Sequence, residues 1–536
     1  MTAHYLEIPI FLPLHFPSDT AKVMKLSLYT NKLLAAPVDL LAVGVFSDEP
    51  DRGIAFSQLN RALSGGLDKA CRDEKFEGKL GQIVVYNVQE ERSAKRILVF
   101  GYGSRADYGL QRARRFAATV AGVARKTGAA SCALTLTITE VPADPERVYA
   151  VMQGLAEGII HGSYQFTKYK STKEGAPRLK EAKIAFSADD VRGMNGAMLR
   201  DALAKGRIIA ESANTTRDLV NEPANHLYPA KLGEFSKSLA KKFDLDIKQL
   251  NPRDLEKSGM NLLLGVGGGS SKEPKLIHLV YKPEKKLPRN APIIALVGKG
   301  ITYDSGGLSL KPADSMINMK TDMGGAAVVL GAMQAIAGLQ PECVVHGIIP
   351  AAENMPDGSS IRPGDVIRSK AGLTVEVMNT DAEGRLILAD AIAYALEQKP
   401  TDIIDFATLT GACLVALGPS TAAAYANSES MAEDIQSAWK KTGEKFWPMP
   451  LDADLREQLK SEIADIKNLG EKWGGSITAA LFLQAFVGES FPRWAHFDIA
   501  GPVMHASEQI FQPKGATGFG VSTCVEYVLQ RVRANS

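Results

Sequence analysis

Pro292-Ile-Ile-Ala-Leu-Val-Gly-Lys-Gly-Ile-Thr-Tyr-Asp304-Ser-Gly-Gly307 opens with seven uncharged residues and then sets a lysine and an aspartate among glycines. A short, continuous apolar run bounded by turn residues reads as a strand buried on both faces of a sheet. Cys343–Ile349, Leu373–Met378 and Thr401–Phe406 read the same way, with helical patterns between them, notably Gly325–Ala337 and Leu386–Leu396. Strands alternating with helices predict an α/β architecture. Many of the charged residues fall just past the strand ends, the edge of an open α/β sheet where ligands bind.

The first half also alternates. Lys25–Leu34, Val38–Phe46, Gln82–Val88 and Ile97–Phe100 are β-rich, while Arg105–Lys126 and Arg147–Ile160 read as helices. In the second helix Val148, Val151, Met152, Leu155 and Ile159 keep the spacing of a single apolar stripe. Residues 163–187 turn polar and lysine-rich, and a helix from Asp189 to Leu219 leads into the second half. The expected organisation is an extension over 1–23, a smaller N-terminal α/β domain over 24–195, and a linker helix with a larger C-terminal catalytic domain over 196–536. The catalytic domain is expected to hold a central mixed sheet flanked by helices.

Composition excludes more than it names. With 536 residues there is room for two to four domains, at roughly 100–200 residues each. The charge is 62 − 60 = +2, so no global field recruits nucleic acid or anionic membrane. Five scattered cysteines without a CxxC read as buried reduced thiols. The apolar Ile8–Phe16 stretch has no basic residue before it and carries two prolines, so it does not read as a secretory signal. The uncharged windows Met323–Pro341 and Phe406–Ser428 are rich in small residues and read as packed core rather than membrane spans. The expectation is a cytoplasmic protein without a membrane segment.

Four local patterns invite other readings. Gly101-Tyr-Gly-Ser-Arg-Ala106 matches G-x-G-x-x-A after a strand, but no acidic residue follows about 20 positions on, so dinucleotide binding is not expected. Gly265–Lys272 lacks the Gly-Lys-Ser/Thr ending of a phosphate loop and reads as a flexible turn. Lys95, Arg96, Arg105, Arg112, Arg114, Arg115, Arg125 and Lys126 oppose a lone Asp107; such a stretch is a solvated face, a subunit contact or, as a rival, a DNA-binding surface. The eight histidines show neither HxxxH nor HxH spacing, which argues against a histidine-built zinc site.

The chemistry concentrates in two segments, Gly298–Lys311 with Lys320–Gly325, and Asn379–Leu386. Asp304, Asp322, Asp381 and Glu383 all lie where apolar neighbours predict burial, and buried carboxylates are costly unless paired or metal-bound. Two divalent cations would balance four carboxylates, a recurrent hydrolytic arrangement. Glycines 306, 307, 324, 325 and 384 would let the backbone approach the ions. Lys299 and Lys311 must either lose a proton to a cation or stay farther out and bind substrate.

Asn379-Thr-Asp-Ala-Glu-Gly-Arg-Leu386 resembles the signature octapeptide of the leucyl aminopeptidase (cytosol aminopeptidase) family, and Val297–Gly307 is similar to its other metal-binding segment. Asn221–His226, Ala407–Gly411, Gly475–Leu481 and Asp498–Gly501 extend the resemblance over about 215–530. The resemblance implies two metal ions per subunit, zinc or manganese, with magnesium and cobalt as alternatives. Asp304, Asp381 and Glu383 would hold one; Lys299, Asp304, Asp322 and Glu383 would hold the other, with Lys299 neutral. Lys311 would stabilise the oxyanion, and Arg385 would hold a bicarbonate acting as general base towards a metal-bridging water. Lys311, Met319, Asn379, Thr408 and Leu409 would contact the peptide substrate and favour leucine or other apolar first residues. The resemblance also implies a homohexamer acting in peptide catabolism.

Overall fold

The computed structural model describes residues 24–30, 33–49, 51–89, 94–137, 144–171, 178–186 and 195–535. The expected extension over 1–23 lies outside them. The chain divides into a unit of Met1–Glu211 with Ser507–Lys514 and a larger unit of Ser212–Ala506 with Gly515–Ser536. The long helix Gly196–Asn221 carries the chain across the division.

The first unit holds a six-stranded sheet in the order Lys25–Tyr29, Glu181–Ala185, Ser131–Thr135, Leu40–Phe46, Arg96–Gly103, Ile83–Asn87. All neighbours are parallel except the last pair. Leu98, Phe100 and Tyr102 pack into one core with Phe116 and Leu155, while Ile97 and Val99 join Phe56, Leu59 and Cys71 in another. This alternation puts apolar layers on both faces, as parallel strands require.

Several expectations are corrected here. The first strand ends at Tyr29, and Leu33–Ala35 is a 3-10 turn. The polar 163–187 stretch contains the inner strand Glu181–Ala185, whose Lys183 is buried over the Tyr29 ring and pairs with Glu181 at 3.5 Å. Gly265–Gly267 close the helix Asn261–Gly267, so the turn expected over Gly265–Lys272 is confined to residues 268–272. Gly101 belongs to a strand, where an added Cβ would lie 2.2 Å from the Lys79 carbonyl oxygen; close packing of backbone accounts for that glycine. Five residues of the basic 95–126 stretch form ion pairs, Lys95 with Asp39, Arg105 with Glu49, Arg112 with Asp107, Arg114 with buried Glu157 and Arg125 with Glu508, while the Lys95 and Arg105 side chains stay exposed. Arg115 stacks over Phe511.

The second unit is built on a nine-stranded mixed sheet. Its centre is four parallel strands in the order Trp494–Asp498, Asp402–Ala407, Ile293–Gly298, Val344–Asn354, with Gly300–Asp304 pairing parallel beside the last. Register places Ile404 opposite Leu296 and Leu296 opposite Gly347. Ala422–Ala426, Lys275–Tyr281 and Asp246–Leu250 add antiparallel neighbours. Ala295, Val297, Ile403 and Ala407 share a core with Leu386, Ile387 and Ala391 of the helix Glu383–Leu396, and the helix Gly324–Leu339 packs on the same strands. Leu373–Met378 is not part of this sheet. Only Thr374–Glu376 is extended, between Val366–Arg368 and Ile466–Lys467 in a separate three-stranded sheet.

Met319–Leu339 is long and apolar enough to cross a bilayer, but 83% of its apolar window is buried inside the protein, as the packed-core reading expects. All five cysteines are free and buried. Two of the histidines form a buried pair, His278 Nε2 to His346 Nδ1 at 2.9 Å, and His496 bonds Asp405.

Candidate metal centre

Parallel strands bring their C-terminal ends to one edge, so residues remote in sequence meet there. Lys299 directly follows Ile293–Gly298; Asp304 ends Gly300–Asp304; Asn354 ends Val344–Asn354; Thr408 follows Asp402–Ala407; Asp498 ends Trp494–Asp498. Asp322 arrives on the 3-10 turn Met319–Met323, Asp381 on a loop, and Glu383 opens the helix Glu383–Leu396. Gly306 and Gly307 adopt φ of +88° and +63°, a region that side chains disfavour, and so turn the chain after Asp304. Gly324, Gly325 and Gly384 are helical and serve close packing instead.

One carboxylate oxygen each from Asp304, Asp381 and Glu383 lies within 4.8 Å of the other two. Asp322 joins them through Lys299, whose Nζ is 2.8 Å and 2.7 Å from the two Asp322 oxygens, 2.9 Å from Glu383 Oε1 and 3.1 Å from the Thr408 carbonyl. Lys311 Nζ lies 2.9 Å from Asp304 Oδ2 and also pairs with Asp381 Oδ1. Asp304, Asp322 and Glu383 are buried, whereas the Asp381 side chain is 33% exposed and marks the open side.

The electrostatics are those of an over-filled anionic site. Burial, and then repulsion from Asp304, push the Glu383 carboxyl up to about 8 against the pull of Lys299. Burial raises Asp322 to about 6, opposed by Lys299 and helped by Asp304. Asp381 is raised for the same two reasons, burial and Asp304. Burial disfavours charge on Lys299, but Asp322, Glu383 and Asp304 outweigh it and hold the ammonium above the ordinary lysine range. Lys311 is likewise raised, Asp304 and Asp381 overcoming burial. With protein groups alone, Lys299 is therefore an ammonium, the opposite of the neutral amine expected of a ligand. Burial lowers Arg385 to about 10, resisted by Glu383 and Asp498.

This donor set fits divalent cations. Glu383 Oε2 is buried without a hydrogen-bond partner, and Asp322 Oδ2 and Asp381 Oδ1 have no donor besides the lysine ammoniums that pair with them. Four carboxylates face two ammoniums, and oxygen-rich, electron-rich pockets of that kind suit hard or borderline cations.

The remaining expected residues lie around this cluster. Arg385 is buried; its Nη1 donates to the Asn468 carbonyl at 2.8 Å, and its Nε has no hydrogen-bond partner. Thr408 donates its hydroxyl to Asp322 at 2.7 Å, and the Asn379 side-chain oxygen accepts from the Asp381 amide at 2.7 Å, so both support ligands. Met319 is half-buried at the start of its turn, and half-buried Leu409 packs against the core while its amide donates to Asp498 at 3.1 Å. Sequence reasoning missed Asn354, whose Nδ2 donates to Asp304 Oδ1 at 2.8 Å and to the Thr380 carbonyl at 2.9 Å. It also missed Asn468. An amide shows its role only when the backbone groups it bonds are known.

The model of the cytosol aminopeptidase family catalytic domain matches residues 214–525, and that of the family's N-terminal domain matches 42–173. The probable cytosol aminopeptidase of Persephonella marina is 43% identical over 498 residues, covering 91% of this chain and 97% of that relative. The Aquifex aeolicus counterpart is 42% identical over 490 residues, covering 91% and 95%. A tomato leucine aminopeptidase mutant superposes with a TM-score of 0.85 at 34% identity, covering 97% of this chain and 98% of the other. The bottromycin maturation enzyme BotP in complex with Mn gives 0.78 at 33% identity, covering 92% and 99%. This chain belongs to the cytosol aminopeptidase family and is a metallo-aminopeptidase.

Proposed function

We propose that this enzyme removes N-terminal residues, leucine and other apolar ones by preference, from peptides with the help of two divalent ions. Asp304, Asp381 and Glu383 would hold one, and Lys299, Asp304, Asp322 and Glu383 the other. The observation that carries the reading is the convergence of Asp304, Asp381 and Glu383 oxygens within 4.8 Å, with Asp322 tied to Glu383 through Lys299 and a buried Glu383 oxygen left without a donor. When bound, such ions supply Lewis-acid polarisation of a carbonyl and acidification of water.

The protein groups divide the remaining work. Lys311, fixed by Asp304 and Asp381 and 16% exposed, presents fixed positive charge to an oxyanion developing at the open side. Lys299 must give up its proton to act as a ligand, so loading the site releases protons. Arg385 offers an unpaired Nε in a buried setting, which suits a small anion such as bicarbonate held as general base. Met319 and Leu409 supply half-buried apolar surface for the first side chain. The oxygen-rich donors suit manganese as well as zinc, and manganese is the ion named for BotP. A homohexamer in the cytoplasm is the assembly and location that go with this family reading.

The test is release of p-nitroaniline from Leu-p-nitroanilide. Activity is expected to vanish on exhaustive chelation and to return with Mn²⁺ or Zn²⁺; full activity in the metal-free protein would overturn the reading.

A further inference from the structure

Asn468 follows the two-residue strand Ile466–Lys467, on the edge of the small three-stranded sheet, and is fully buried. Its amide donates to the Glu376 carbonyl at 3.0 Å, which fixes its backbone to that sheet. Its side-chain oxygen accepts from the Met378 amide at 2.8 Å and the Asn379 amide at 3.4 Å. Its Nδ2 donates to the Asn379 carbonyl at 2.8 Å and the Ala382 carbonyl at 3.4 Å. A carboxamide has two donor hydrogens and an acceptor oxygen with two lone pairs. All of that capacity is directed at one short stretch of irregular backbone, residues 378–382, which carries Asp381 and leads directly to Glu383. The Asn468 carbonyl then accepts from Arg385 Nη1 at 2.8 Å, two residues beyond Glu383.

We infer that Asn468 is a positioning residue of this site: its carboxamide sets the loop that presents Asp381 and Glu383, and its carbonyl aims the Arg385 guanidinium. The inference rests on the roles proposed above for those three residues. Buried backbone amides and carbonyls outside regular structure need partners. An apolar residue of similar size at 468 would fill the volume and strand the Met378 amide and the Asn379 carbonyl, the two shorter and therefore stronger bonds. The loop would then settle elsewhere, taking with it two carboxylates and, through the shift at 468, the anchored edge of Arg385.

The test is a double-mutant cycle on the metal-loaded enzyme with N468A, R385A and the double variant, alongside thermal unfolding and Mn²⁺ affinity measured by competition with a chromogenic chelator. Outer-shell partners of metal ligands are worth ~10–100-fold in affinity or activity. N468A is therefore expected to keep a cooperative melt, to bind Mn²⁺ ~10-fold more weakly and to lose kcat ~10–100-fold with KM nearly unchanged. The double variant is expected to be slower than R385A but to lose less than the product of the two single losses, because only the part of the N468A loss that runs through Arg385 is shared with R385A. A folded N468A with wild-type Mn²⁺ affinity would overturn the inference, and losses that multiply fully in the double variant would overturn the half of it that runs through Arg385. R385A at the wild-type rate would instead refute the role proposed for Arg385, and with it the half of the inference that runs through Arg385. Should N468A fail to fold, N468D keeps the volume and the acceptor but loses the donors, and the same cycle is run with it under the same criteria.

Discussion

Gly384 lets Lys299 reach its place between Asp322 and Glu383, and replacing it with alanine tests that dependence. A Cβ at 384 would lie 2.4 Å from Lys299 Cε, 2.6 Å from Nζ and 2.8 Å from Cδ. Ordinary contact between carbon atoms is about 3.5–4.0 Å, so the lysine must retreat by about 1 Å. It has little room, since Asp322, Glu383 and the Thr408 carbonyl all hold its ammonium. Two energies compete in the fold. Alanine in place of glycine inside a helix stabilises by about 1 kcal/mol, while overpacking a buried site costs about 1–3 kcal/mol. The net destabilisation is at most about 2 kcal/mol, and the protein stays folded. Function is less tolerant, because a misplacement of 1 Å costs ~10²-fold in rate. Gly384→Ala is therefore expected to melt within a few degrees of the parent, to retain one tightly held Mn²⁺ per chain after dialysis where the parent retains two, and to lose kcat ~10²-fold. Two retained ions with parental kcat would refute the reasoning, since Lys299 would then not need the position that Gly384 leaves open.

Two predictions concern the scaffold. Asp402 is fully buried and bonded to Arg493 Nε at 2.5 Å, Arg531 Nε at 3.0 Å and the Tyr527 hydroxyl at 2.7 Å, so it ties the last helix to the central sheet. Asp402→Ala leaves two partly buried arginines with only Asp434 between them, and breaking such a pair costs about 3–5 kcal/mol; urea unfolding followed by circular dichroism should show it, and a loss below about 1 kcal/mol would contradict the network's importance. His278 is held neutral by burial, then by His346, its pKa lowered to about 4 from 6.5. The unfolded chain therefore binds the extra proton first, so stability is full above pH 6.5 and falls by about 3 kcal/mol as pH drops to 4. His278→Gln should flatten that fall in urea midpoints between pH 7 and 4.5; equal slopes in both proteins would argue against it.

What could be read from the sequence follows from burial. Ile293–Gly298 was legible because a strand covered on both faces cannot afford exposed polarity and its apolar run stands out, and Asp402–Ala407 was legible through Ile403, Ile404 and Phe406 despite its two buried aspartates. Glu181–Ala185 was not, because its two charges satisfy each other locally and Lys183 lies over an aromatic ring. Trp494–Asp498 was hidden similarly, its His496 and Asp498 being buried through bonds to Asp405, Thr410 and the Leu409 amide. The ion pairs of the basic run at 95–126 could not be read from the sequence, because the partners Glu157 and Glu508 are far away in it. In the site the reverse held. Asp304, Asp322, Asp381 and Glu383 were conspicuous as charges in apolar surroundings, while Asn354 and Asn468, which hold the ligand-bearing segments in place, are neutral and signal nothing until the fold shows which groups they bond.

The most direct test of the two-ion site is an anomalous difference map from crystals of this enzyme soaked in Mn²⁺. Two peaks about 3.5–4 Å apart are expected, one among Asp304, Asp381 and Glu383 and the other among Lys299, Asp304, Asp322 and Glu383. A single peak, or density away from these residues, would contradict it.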